Sequence, residues 1–157
     1  MTQQFEQYEN TRHVIREVRK YHRQLANLYG QLATRTGNER AVMLLKYMQT
    51  REQKLMAALD LYELNAPDKI LDAWFQIAYP ENLDEFMTII QGTHEDPDVE
   101  QVRQLVMAAN DFLMSLLDHV MRCAHNEDVH AVFEDLYEIE HEEEKALTRA
   151  VNSLSDI

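Results

Sequence analysis

The chain has 157 residues and a formal net charge of −13 at pH 7, which argues against nucleic acid or an anionic membrane surface as a partner. Its length suits one domain, and 45% apolar residues argue against disorder despite the charge. Three Gly and three Pro are too few for an all-β sandwich or a βαβ array.

In chain order, punctuation at Gly37-Asn38, Ala66-Pro67-Asp68, Gly92 to Pro97 and Asn126 to Asp128 separates four long segments, 8–36, 39–65, 97–125 and 128–154. Each carries helical periodicity. The first has a heptad seam through Val14, Val18, Tyr21, Leu25, Leu28 and Leu32. The second places Leu45, Met48, Leu55 and Leu59 on one face, and the third Val102, Val106, Ala109, Leu113 and Val120. The fourth does so with Val129, Phe133, Leu136, Leu147 and Val151. Asn38, Asp96 and Asp128 suit N-caps, and Pro97 suits a first helical position.

Very short turns join the first segment to the second and the third to the fourth, which predicts two antiparallel hairpins. The connector, about 66–96, contains two short helical patterns, 68–76 and 83–91, the second preceded by Asn82 and Glu85 at capping-box spacing. About thirty residues can run back along a helix of roughly 42 Å. The expected fold is therefore all-α, a single domain over 1–157 with up-down-down-up order.

Most charges fall outside the apolar faces, but three glutamates do not. Glu52 occupies a seam position between Met48 and Leu55, while Glu140 and Glu143 straddle the inward direction between Leu136 and Leu147, with Glu144 at its edge. Counting from the turns puts Glu52 and Glu140 at one level near mid-bundle, with His22 and Asn110 at similar heights. Neighbouring carboxylates in an apolar core must pair with cations, share protons or bind a metal. Carboxylates and a histidine from facing helices are the ligand set of a bundle-core iron or manganese site, and the candidate ligands are His22, Glu52, Glu140 and Glu143. The competing reading is that these long side chains extend to solvent.

These residues resemble the rubrerythrin branch of the ferritin-like superfamily. The stretch 22–33, HRQLANLYGQLA, is similar to that family's first ligand helix, with His22 where the family has Glu. The stretch 133–147, FEDLYEIEHEEEKAL, is similar to its fourth helix, with Glu140 matching the Glu of an E-x-x-H and Glu143 standing where the His would be. Glu52 matches the Glu of the other E-x-x-H, Leu55 replaces its His, and Asn110 falls near a further expected Glu. The resemblance implies a ferritin-like four-helix bundle and a protein that handles dioxygen, peroxide or stored iron. The missing histidines imply a single-metal or otherwise altered site, and no rubredoxin-type Cys pairs are present.

Other constellations carry less. Glu138 and His141 form a literal E-x-x-H, but both lie off the inward face and read as a solvated pair. His130 with Asp135 and His13 with Glu17 have haemerythrin-like spacing, but His94, His119 and His125 do not complete the cluster. Cys123 reads as a buried, inert thiol; standing alone, it excludes an intrachain disulfide and suits a reducing cytoplasm. No apolar run approaches the roughly 20 residues of a membrane span, and the polar start MTQQFEQYEN does not read as a signal peptide. Met107, Met114 and Met121 recur every seven residues beside the third seam, and Leu61 and Leu64 lie off the second. These residues pack against the connector or serve a homodimer. Two function classes follow, a metal-binding and redox-related bundle or a non-catalytic bundle that acts as an interaction or regulatory module.

Overall fold

The computed structural model describes residues 6–78 and 96–155. Strand β1 (Glu6–Asn10) leads into helix α1 (Thr11–Arg35), which a three-residue turn joins to α2 (Glu39–Asn65). A single turn, α3 (Asp68–Leu71), precedes β2 (Trp74–Ala78). Helices α4 (Val99–Cys123) and α5 (Glu127–Ser155) follow, again with three residues between them. The described residues are mostly helical, as composition and periodicity predict. None of the described helices is long and apolar enough to cross a membrane.

The helix ends follow local side-chain chemistry. Asn38 accepts from the backbone N–H groups of Arg40 and Ala41 and starts α2, as expected. Helix α4 starts later than expected, because Asp98 and Gln101 close a reciprocal capping box and leave Pro97 outside the helix. Asp96 therefore caps nothing and accepts instead from the Gly37 N–H at 3.0 Å. At α5 it is Asn126, not Asp128, that accepts the first free N–H groups, those of Asp128 and Val129.

The connector differs from the expected helix over 68–76. Only Asp68–Leu71 is helical, and Trp74–Ala78 pairs antiparallel with Glu6–Asn10, placing Tyr8 opposite Gln76. Along β2, Trp74 and Gln76 are exposed while Phe75 and Ile77 are buried, a period of two that a short apolar run does not separate from a helical pattern. The ladder partner is supplied by the chain's beginning, and Thr11 fastens this corner by donating its N–H to the Ala73 carbonyl at 3.0 Å. The second expected connector helix, 83–91, with Asn82 and Glu85, lies outside the described residues.

Helix directions follow from hydrogen bonds that tie distant segments. Arg16 bonds Glu63 and Arg19 bonds Asp60, so α1 and α2 run antiparallel. Residue 73 lies beside the start of α1, at the far end of the hairpin. The chain returns at the opposite end, where the Thr36 hydroxyl donates to the Pro97 carbonyl at 2.7 Å. Residues 73 and 97 thus lie at opposite ends of the hairpin, and α4 sets off parallel to α2.

The inner faces close on one apolar core, with Tyr29, Phe133, Leu44, Leu45, Met48 and Leu117 fully buried. Met114 is buried, and Met107 and Met121 are half-buried against this core. The methionine stripe is therefore packing within the chain, not the open face expected for a second subunit. Seven-residue recurrence alone does not tell an inner flank from an outer one.

Candidate functional site

His22 on α1 is fully buried, and its ring stands between two carboxylates. Nδ1 is hydrogen-bonded to Glu52 on α2. Nε2 lies 2.9 Å from Glu140 Oε1 on α5, an ion-pair contact that meets the ring at an angle poor for a hydrogen bond. Glu52 and Glu140 are themselves only 5% and 4% exposed. The three residues reach one point because each occupies a mid-helix seam position, where periodicity leaves no route to water.

The protonation state follows from the partners. An ionised carboxylate only accepts hydrogen bonds, and a neutral imidazole can donate from one nitrogen only. A ring flanked by two carboxylates is therefore best satisfied as imidazolium. Burial by itself would push the imidazole down, but the carboxylates of Glu140 and Glu52, one beside each ring nitrogen, outweigh it and hold the group up to about 9.

Around this triad lies a shell of buried polar groups. The Tyr21 hydroxyl donates to the Ala109 carbonyl on α4 at 2.9 Å. Burial, followed by the negative charges of Glu52 and Glu140, keeps that phenol protonated far above its ordinary range. Tyr29 is raised as well, by burial first and then by Glu52 and Tyr21, against the opposing charge of Arg51. Among the described residues its hydroxyl has no partner, and the same holds for Asn110 Nδ2 and Glu140 Oε2.

Glu143 does not join the triad. It accepts from Arg51 Nε at 2.8 Å, and its side chain is 40% exposed. Glu144 also stays out of the triad, 3.9 Å from His141. Of the four expected ligands, His22, Glu52 and Glu140 are thus brought together, and Glu143 is drawn to the rim by an arginine. Arg51 is 5% exposed, and sequence reasoning missed it. The available signal was its place seven residues after Leu44 on the flank of the seam. Tyr29 was also missed, although it follows His22 by seven residues on the inner face of α1.

The ring lies between the carboxylates rather than beside them. Each ring nitrogen faces a different carboxylate, so neither is free to act as a ligand. Among the described residues no three His, Cys, Asp or Glu side chains gather so as to hold a metal ion. In this arrangement the expected ligands do not fit a metal ion.

The remaining candidates stay on the surface. Glu138 is exposed, and His141 stacks on Tyr137, also at the surface. His13 contacts Glu9 on β1 and Glu17 on α1, and His130 contacts the Met121 carbonyl. Cys123 is half-buried, 3.8 Å from His119 Nε2.

No family model matches this chain, and searches of curated proteins and of solved structures found no match either.

Proposed function

We propose that the chain is a ferritin-like four-helix bundle in which a buried histidinium takes the place of a metal ion, and that it works as a non-catalytic interaction or regulatory module. The observation that supports this is the Glu52–His22–Glu140 array, with one carboxylate on each ring nitrogen. A cation is needed between two buried carboxylates, and the protonated ring supplies it from within the chain. The array would hold α1, α2 and α5 in register without a cofactor. Self-association as a homodimer belongs to the same reading.

Metal analysis after expression in iron- or manganese-supplemented medium tests this, together with nitrogen NMR of the His22 ring. Sub-stoichiometric metal and two protonated ring nitrogens at pH 7 are expected. Stoichiometric iron or manganese would overturn the proposal in favour of the second reading, a metal-binding, redox-related protein. What favours that reading is a set of buried atoms without a partner among the described residues, Glu140 Oε2, Asn110 Nδ2 and the Tyr29 hydroxyl. A metal would have to displace the His22 proton, so its uptake would release protons and would be lost in Glu52→Ala.

A further inference from the structure

Helix α2 is apolar on two faces. One is the buried seam through Leu45, Met48 and Leu59. The other follows positions 43, 47, 50, 54, 57, 61 and 64, a strict alternation of four and three, and it faces outward. Five of these positions are apolar: Met43, Tyr47, Ala57, Leu61 and Leu64. Among the described residues seven large hydrophobic side chains are exposed, and four of them stand on this one stripe. Met43 is 61% exposed, Leu61 59% and Leu64 79%. Burial in the chain's own core does not explain them.

We infer that this stripe is the dimer interface, and that two copies pair antiparallel through α2. The period of 3.5 residues is the pattern of a helix seated along another helix, and it persists for about 32 Å. The orientation follows from charge. Beside the stripe runs a row spaced by seven, Lys46, Gln53 and Asp60, all exposed. Asp60 bonds Arg19, yet its side chain remains 62% exposed.

Across a two-fold axis at Gln53, Lys46 of one copy faces Asp60 of the other, twice over. A parallel pairing would set lysine against lysine and aspartate against aspartate. The antiparallel register also lays Met43 and Tyr47 on the partner's Leu61 and Leu64. Thr50 and Lys54 then sit at the centre, where the lysine stem covers apolar surface and its ammonium reaches water. A single helix pair lies at the small end of specific interfaces, so the dimer should dissociate on dilution.

This surface deepens the self-association reading and rests on it. Sedimentation of the full chain from about 5 to 200 µM should show a monomer–dimer equilibrium. The double variant L61E/L64E should weaken it by at least about tenfold, with an unchanged helical circular dichroism spectrum, since both positions are exposed. A spin label at Glu39→Cys, in a Cys123→Ser background, should report about 40 Å between copies, the axial offset of the antiparallel register. A monomer at every concentration would overturn both the surface and self-association. A dimer unaffected by L61E/L64E would overturn this surface alone, and a label separation under about 20 Å would overturn the antiparallel orientation.

Discussion

The Nε2 atom of His22 lies 2.9 Å from Glu140 Oε1, joining the first long helix of the chain to the last. With Glu52 on the opposite ring nitrogen, it makes one buried cation the common partner of two carboxylates from different helices. The stability of the bundle should therefore depend on one proton.

His22 titrates in the folded chain at about 9, above the ordinary value of 6.5. The folded state then binds this proton more tightly than the unfolded state. Its contribution is fully present below about pH 6.5 and is lost as pH rises through about 9. A difference of that size is on the order of 3 kcal/mol. Urea denaturation at pH 6 and pH 9.5 should show the loss, and a stability that is flat across that range would exclude a buried imidazolium.

Glu52→Leu leaves that imidazolium with a single carboxylate. The variant should lose about 3 kcal/mol at pH 6, and less near pH 10, where the ring is already neutral. Replacing all three residues, in H22L/E52L/E140L, should restore stability to within about 1 kcal/mol of the parent or exceed it, because no buried charge remains. Chemical denaturation of the three proteins decides the point. A triple variant as weak as E52L would mean that the array does more than balance charge.

The two buried tyrosines should respond in opposite directions. Tyr21 donates to the Ala109 carbonyl, and Tyr21→Phe should cost about 1 kcal/mol by removing that hydrogen bond. The Tyr29 hydroxyl is buried without a partner among the described residues, so Tyr29→Phe should be neutral or stabilising by up to about 1 kcal/mol. Melting temperatures of both variants at pH 7 measure the contrast, and a destabilised Tyr29→Phe would reveal an unseen acceptor.

Thr36 ties the first hairpin to the start of α4 through its bond to the Pro97 carbonyl. Thr36→Val keeps the shape and removes the donor. It should cost about 1–2 kcal/mol, because the carbonyl then stays buried and unpaired. Amide exchange should quicken around residues 36–38 and 98–102, and unchanged exchange there would show that this tie does not hold the crossover in place.

Much of the architecture could be read locally. Helix α2 begins and ends where Asn38 and Ala66-Pro67 place it, because caps and breakers act within a few residues. Glu52 and Glu140 were legible as inward residues, because a helix forces position 52 onto the same face as positions 48 and 55. Periodicity determines a direction, and counting from a turn determines a height. What the sequence could not settle was which neighbour each side chain meets. Glu143 lay as close to the inward direction as Glu140, yet only the fold brings Arg51 across from α2 to take it. The strand Trp74–Ala78 depended in the same way on a partner more than sixty residues earlier. Above all, whether His22 would lie beside the carboxylates as a ligand or between them as a cation is a matter of a few ångströms of lateral placement. Helical spacing along one chain carries no information at that scale; the packing of three helices against one another decides it.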